Sequence, residues 1–426
     1  MKLPKHLPLG RHGTLMKNTV MLYILTFSQF FLSFIVATYE SRILDPVWFG
    51  VLGTATAIMT YFQLVIDFGY LLSGTQEVAQ NRDEPQKLNQ IYTSVTMGKL
   101  LLTAVSALAL LLLCRIIPTW QDKTGLYFLF FLSTALNSLL PNFLYRGLER
   151  MGAITVRTVA IRVFFTVGIL LLLKDSGDIW IIPVLNAVGA LVALIITHIH
   201  LGKKLGIRFA RPDLRETLSG MKRSAVFFYS RIATTVYSAL NTIILDIFTA
   251  SGAVVGYYNC ADKLMTMGKS AVSPISDSLY PHMVRNRDFR LVRKVLLLLE
   301  PVIILFCTAV FIWAEPLCVL IFGAEYGPAA PVLRAMLPVG IVIFPSYVLG
   351  FPTLSAMGLS KHANYSTIVG SAFHLILLAV LFLTDSLSMV TLALCVSATE
   401  TVILLYRIVI ILKNRHLMSK GGGEEG

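Results

Sequence analysis

Residues Val255–Pro274 read VGYYNCADKLMTMGKSAVSP, and the solvent around this piece of chain decides the fold. In water, Gly268-Lys269-Ser270 would pass for the tail of a phosphate-cradling loop, G-x-x-x-x-G-K-[ST], set between a strand and a helix. The position five before Gly268 is Lys263, not glycine, and the surroundings read as membrane helix. In a bilayer the same residues make a helix that carries Asp262, Lys263 and Lys269 among apolar neighbours. The first reading would bring ATP-driven transport by this polypeptide alone; the second removes it.

Composition settles the choice. Of 426 residues, 56% are hydrophobic and 14% charged, whereas a soluble domain carries about a quarter charged. Twelve segments have the roughly 20 mostly apolar residues a spanning helix needs: 18–38, 49–76, 92–114, 125–144, 154–173, 179–199, 224–249, 253–280, 295–314, 328–355, 364–383 and 388–405. The expected class is an all-α polytopic membrane protein with 12 transmembrane helices. The first segment follows a basic lead (Lys2, Lys5, Arg11, Lys17), but FIVATYES offers no small-x-small cleavage site. It is read as a retained span rather than a signal peptide. The five cysteines fall in or beside apolar runs with no CxxC or Cys/His pattern, so they are read as buried thiols, with no metal or disulfide expected.

Charge placement gives the orientation. Twenty-five of the 36 Lys and Arg lie in the termini and the even-to-odd connections, densest at 200–223 and 281–294. The odd-to-even connections hold four: Arg42, Arg115, Lys123 and Lys174. By the positive-inside rule both termini are expected in the cytoplasm. The net charge of +13 is then a topology signature, and nucleic-acid binding is not expected. Seven basic residues remain inside the spans (Lys99, Arg157, Arg162, Arg231, Lys263, Lys269, Arg334), with seven acids (Asp67, Glu77, Asp246, Asp262, Asp277, Glu300, Glu400). Charges at that depth are costly and usually face a bundle interior or a watery cavity. Fourteen of them favour a cavity.

Two signals recur in the halves. FGVLGTATAIM (Phe49–Met59) aligns with VGYYNCADKLM (Val255–Met265), pairing Gly50 with Gly256; PNFLYRGLER (Pro141–Arg150) aligns with PTLSAMGLSK (Pro352–Lys361), pairing Pro141 with Pro352 and Gly147 with Gly358. The offsets, 206 and 211 residues, place segments 1–6 over segments 7–12 as parallel repeats. That is a transporter pattern, with the site expected between the halves. The expected organisation is an N-lobe at 1–200, a basic cytoplasmic linker at 201–223 and a C-lobe at 224–426 ending in a short cytoplasmic tail. Gly50, Pro141, Gly147, Gly256, Pro352 and Gly358 are read as hinge or packing positions near helix ends.

SRILDPVWFG (Ser41–Gly50), DFGY (Asp67–Tyr70), YRGLERMG (Tyr145–Gly152) and DIFTASGAVVGYYNCADKLM (Asp246–Met265), followed by SDSLYPHMVR (Ser276–Arg285), resemble the bacterial polysaccharide, or O-antigen, flippases. These Wzx-type proteins belong to the multidrug/oligosaccharidyl-lipid/polysaccharide exporter superfamily. The similarity runs along essentially the whole chain. It implies two pseudo-symmetric six-helix lobes, alternating access in the bacterial cytoplasmic membrane, and export of an undecaprenyl-diphosphate-linked oligosaccharide from inner to outer leaflet.

That substrate class gives intramembrane cations a task, because Lys and Arg replace the lost hydration of a diphosphate. Lys99, Arg162, Arg231, Lys263, Lys269 and Arg334 are the candidate substrate contacts. Neighbours on a helix point about 100° apart, so Asp262 and Lys263 do not pair with each other; one is expected to face the cavity. Arg157, near the interface, is read as snorkelling to it, and His374 as a packing residue. Asp67, Asp262, Glu300 and Glu400 are candidate ion-coupling residues for H+ or Na+, with salt bridges to the buried cations as the equal alternative. No other cofactor is expected. The partners expected are the lipid-linked glycan, membrane lipids and the polymerase of the same pathway, with the protein itself a monomer. Rival readings are a multidrug or metabolite antiporter of the same superfamily and a lipid II flippase. An enzyme of the pathway is disfavoured: no D-x-D occurs, and the longest outer loop is about a dozen residues.

Overall fold

The structure is a computed structural model that describes residues 28, 30–249 and 251–419. The proposed first segment, 18–38, and the glycine-rich tail at 421–426 lie largely or wholly outside the described residues.

Every long element is a helix, and among the described residues there is no strand. In chain order they are α1 (30–43), α2 (Pro46–Asp67), α3 (Tyr70–Gln80), α4 (Pro85–Ile116), α5 (Thr124–Ser138), α6 (Asn142–Gly147), α7 (Met151–Leu172), α8 (Ile181–His200), α9 (Leu214–Phe248), α10 (Gly252–Asn286), α11 (Phe289–Ile312), α12 (Ala314–Phe322), α13 (Ala330–Val348), α14 (Ser360–Leu383) and α15 (Met389–Lys413). Their ends follow from local chemistry. Asp45 Oδ1 accepts from the amides of Val47 and Trp48 at 2.9 Å each, and Pro46 supplies the preset first turn of α2. Asp288 caps α11 through Arg290 and Leu291, and Ser388 with Thr391 forms a capping box on α15. Between α2 and α3 the chain turns at Phe68 and Gly69, both left-handed with φ of 38° and 79°.

Nine helical stretches among the described residues are long and apolar enough to cross a membrane, and they coincide with nine of the twelve expected segments. Of the other three, 18–38 is largely undescribed. The remaining two fall on α9 and α10, helices of 35 residues each. The outward faces agree with that solvent: Leu297, Leu298, Val302, Leu305 and Phe306 on α11 are all exposed, a contiguous apolar face that suits hydrocarbon. This is a multi-pass membrane protein, all-helical among the described residues, and the count of twelve spans is not established.

The chain forms two compact units, Met1–Ala37 with Phe62–Tyr229, and Thr38–Tyr61 with Ser230–Gly426. In the first, α3 packs on α6 and α5 on α8, around Tyr70, Val78, Tyr92, Phe143 and Tyr145. In the second, α13 packs on α10, α11 and α15, and Leu279, Met283, Val292, Phe344 and Val348 form a core.

The expected hinge or packing positions fall at close contacts and helix breaks. A Cβ on Gly50 would strike the Gly252 carbonyl oxygen, one on Gly256 would strike that of Pro46, and one on Gly53 would strike the Asn259 side chain. The start of α2 and the start of α10 therefore touch backbone to backbone, as small residues allow in membranes. Gly147 lies against Val78 and Thr75, and Pro141 separates α5 from α6. Pro352 sits in a helical break at Leu349–Thr353, where Gly350 has ψ −120°. The helix stop after each Pro motif has the same form, a left-handed residue followed by an amide bonded five residues back. In the second half that residue is Gly358 (φ 78°), with Leu359 N bonded to Leu354 O; in the first it is Glu149 (φ 57°), with Arg150 N bonded to Tyr145 O.

Gly268, by contrast, has open space around it within α10. G256A should lower the melting midpoint of the detergent-solubilised protein by the equivalent of about 2 kcal/mol or more, through overpacking against backbone. G268A should leave it unchanged or raise it by up to about 1 kcal/mol. Equal effects from the two would mean that the contact between α2 and α10 is not tight.

Candidate functional site

Helix α10 carries a polar stripe. Asp262, Lys269, Ser273, Ser276, Asp277 and Tyr280 recur at intervals of seven, four, three or four, and three or four residues, which puts them on one helical face. Near the middle of the stripe, Lys269 Nζ meets Glu400 Oε1 of α15 at 3.0 Å. Asp262, two turns before Lys269, feels the charges of both Lys269 and Lys263. Further along, Ser276 Oγ donates to the Tyr347 carbonyl at 3.1 Å, joining α10 to α13.

The stripe ends in a cavity of about 540 Å³ within the second unit, lined by Ser273, Ser276, Asp277, Tyr280, Tyr347, Phe351, Pro352 and Arg407. Two features hold it open and polar. The broken helix at Leu349–Thr353 brings Gly350 so close to Arg407 that a Cβ there would meet the guanidinium at 2.8 Å. Arg407, 8% exposed, is fixed by Nε donating to Ser366 Oγ at 2.9 Å and Nη1 donating to Ser346 Oγ at 2.9 Å and Ser346 O at 2.5 Å. Tyr280 meets Phe351 edge-on, with centroids 6.5 Å apart. A guanidinium, a carboxylate, hydroxyls and aromatic rings are the groups that hold a hydroxylated, phosphorylated ligand.

The other expected site residues are distributed as follows. In the first unit Lys99 Nζ lies 3.0 Å from Asp67 Oδ1 and donates to the Ser138 carbonyl at 2.5 Å, so this cation and this acid are partners. Lys263 approaches Glu40 Oε2 at 3.8 Å and lies 5.0 Å from the Phe49 ring centroid. Arg334 donates to the Phe311 carbonyl at 3.1 Å over that ring, holding the end of α11. Arg162 is half-buried on α7, and Arg231 is exposed on α9. Glu300 on α11 has a buried Oε2 with no hydrogen-bond partner among the described residues. The candidates that the structure brings together are thus Lys99 with Asp67 in the first unit, and Lys269 with Glu400 in the second, where Asp262 feels the Lys269 charge. His374 is fully buried and hydrogen-bonded to Thr399 and Asn241.

Known proteins place this arrangement. The polysaccharide biosynthesis protein family matches residues 15–287, more than half of the chain. The chain belongs to that family. Two relatives carry the name "Putative O-antigen transporter". The one from Shigella dysenteriae is 26% identical over 365 residues, 84% of this chain and 91% of its own. The one from Escherichia coli K12 is 24% identical over 415 residues, 95% and 98% of the two chains. Among solved structures, lipid II flippase MurJ in an inward closed conformation has a TM-score of 0.67 at 13% identity, covering 95% of this chain and 90% of that one. An inward-facing multidrug resistance MATE family transporter of the MOP superfamily has a TM-score of 0.63 at 12% identity, covering 96% and 100%. At such identities these two likenesses speak for the fold.

Sequence reasoning about this member of the polysaccharide biosynthesis family missed Arg407, Glu40 and Tyr347. A last segment ended at residue 405 put Arg407 in the tail. The apolar run that continues through Ile408–Leu412 was the signal that the helix goes on. Glu40 carried no signal in the chain itself, since only folding brings α1 beside Lys263.

The Lys269–Glu400 pair generates a test. E400Q leaves Lys269 without its acid, and the melting midpoint should fall by the equivalent of about 3 kcal/mol. The exchange K269E with E400K should recover most of the loss. An exchange protein no more stable than E400Q would show that the two side chains do not act as a pair.

Proposed function

We propose that the protein is a flippase that moves an undecaprenyl-diphosphate-linked oligosaccharide from the inner to the outer leaflet of the bacterial cytoplasmic membrane. Alternating access would carry the polar head across, with both termini in the cytoplasm. Membership of the polysaccharide biosynthesis family, with relatives named for O-antigen transport along 95% of the chain, carries this reading. The cavity beside α10 supports it chemically. Arg407 and Lys269 would face phosphate or acidic sugar, Asp277 and the serines would meet sugar hydroxyls, and Tyr280 would lie against a ring.

Coupling to H+ or Na+ would use the intramembrane acids. In Asp67–Lys99 and Glu400–Lys269 a proton or sodium ion on the carboxylate competes with the amine already there. Release of that amine to an incoming phosphate would tie ion uptake to substrate release. Glu300, which has no such cation among the described residues, would offer a site where a proton alone changes the charge. Work as a monomer, alongside the pathway's polymerase, completes the proposal.

Deletion of the gene in its own host should abolish the surface polysaccharide and leave the undecaprenyl-diphosphate-linked oligosaccharide accumulated in lipid extracts, read by gel and by mass spectrometry. Wild-type protein should restore export, whereas R407Q and K269A, at equal protein level, should restore it about tenfold less. A hydrogen bond to a charged group is worth about 1.5–3 kcal/mol. Unchanged surface polysaccharide and no accumulated intermediate in the deletion strain would overturn the reading.

A further inference from the structure

The first unit contains a larger cavity of a different kind. It measures about 630 Å³ and runs as a groove along α7 and α8 from Gly152 to Phe164 and from Val188 to His200. Its walls are apolar and open: Val156 is 68% exposed, Val192 49% and Phe164 47%. The α7 stretch, Gly152 to Phe164, rises about 18 Å at 1.5 Å per residue. That is close to the hydrocarbon depth of one leaflet, half of roughly 30 Å.

One end alone is polar. Arg157 donates from Nη1 to Thr197 Oγ1 at 2.9 Å and from Nη2 to Asn142 Oδ1, and its guanidinium lies 5.9 Å from the Tyr145 ring centroid. The Tyr145 hydroxyl is 2.8 Å from His200 Nδ1, and Arg150 and Lys204 are the further charges that His200 feels. All of Arg157's named partners are neutral. Its Nε is buried with no hydrogen-bond partner among the described residues, and none of the ion pairs found there includes it. Glu149, the nearest acid in sequence, is taken by Arg82 at 2.8 Å. Lys99 and Lys269, also inside the membrane, each have a carboxylate at 3.0 Å. Among the described residues Arg157 has hydrogen bonds that aim it and no carboxylate that pairs with it.

We infer that this groove receives the polyprenyl chain of a phosphorylated lipid and that Arg157 and His200 hold the phosphate joined to that chain. The inference rests on the flippase reading and deepens it by naming where the lipid moiety sits. A hydrocarbon chain along the groove would exchange lipid contact for protein contact at little cost, so affinity must come from the phosphate, and the Arg157 guanidinium supplies it. The choice of a polyprenyl chain follows from the flippase reading, whose substrate carries one, and from a groove of apolar side chains that runs for about the depth of one leaflet.

Native mass spectrometry of the delipidated full-length protein tests this with undecaprenyl phosphate, which carries no glycan, and dioleoylphosphatidylglycerol. Wild-type protein should bind one undecaprenyl phosphate that phosphatidylglycerol does not displace at equal concentration. R157Q keeps hydrogen-bonding capacity toward Asn142 and Thr197 and should bind about tenfold more weakly, a loss of about 1.4 kcal/mol. V192W fills the open groove from an exposed position and should abolish binding with an unchanged melting profile, so the test survives if R157Q fails to fold. No bound polyprenyl phosphate, equal displacement by phosphatidylglycerol, or wild-type binding by V192W would overturn the inference. The assay needs neither glycan nor transport. Binding here by a protein whose deletion leaves surface polysaccharide intact would keep the groove and sink the flippase reading.

Discussion

Charge compensation in a medium without water is the constraint on which the rest of this structure depends. An isolated ammonium or carboxylate in hydrocarbon is too costly to persist, so each cation at depth must be explained. Among the described residues three acid–amine pairs do this: Asp67 with Lys99, Glu40 with Lys263, and Glu400 with Lys269. Each joins helices distant in sequence and so fixes helix rotation as well as charge. The pairs are graded. Lys99 is almost fully buried and also bonded to a backbone carbonyl, so its amine keeps one partner when the carboxylate is neutralised. Lys269 keeps a quarter of its side chain exposed beside the polar stripe, which suits a group that changes partners.

Backbone contact supplies the second ordering element. Gly50 and Gly256 were legible as a repeat from the aligned halves. Their contact was not, because sequence similarity pairs positions by descent and says nothing of which pairs meet. In the folded chain the repeat-related helices α2 and α10 use these matched glycines on each other's neighbours, Gly50 against Gly252 and Gly256 against Pro46. The Pro motifs show the limit of the same alignment. Both end in the same helix stop, but the left-handed residue is Gly358 in one and Glu149 in the other. The alignment, which paired Gly358 with Gly147, is two residues out of register with the geometry.

Legibility elsewhere followed hydrophobic contrast. Segments such as Phe289–Ile312, with mostly lipid-facing side chains, announce themselves by composition. Helices α9 and α10 show less contrast because charges and hydroxyls are interspersed among their apolar residues. Those polar side chains are also the reason their boundaries blur. The candidate site was legible in part: Asp262, Lys269 and Glu400 were named from their depth, and Lys269 and Glu400 meet in the folded chain. Arg407 escaped because a cation near a helix end reads as an interface anchor until the fold buries it at 8% exposure against Ser346 and Ser366.

The pairing also bears on direction of transport under the flippase reading. Moving one negative charge outward across a membrane that is negative inside gains roughly 2.3 kcal/mol per 100 mV. A binding site of bare cations would neutralise a diphosphate and forfeit that gain. A site whose amine already has its own carboxylate, as Lys269 has Glu400, adds little net charge when the substrate arrives. The bound complex then keeps most of the anion's charge, and the field still acts on it. The site must be attractive enough to strip water from the phosphate and poor enough in net positive charge to let the potential work. Hydroxyls, one aimed guanidinium and an internally balanced ion pair meet both demands better than a cluster of unpaired lysines.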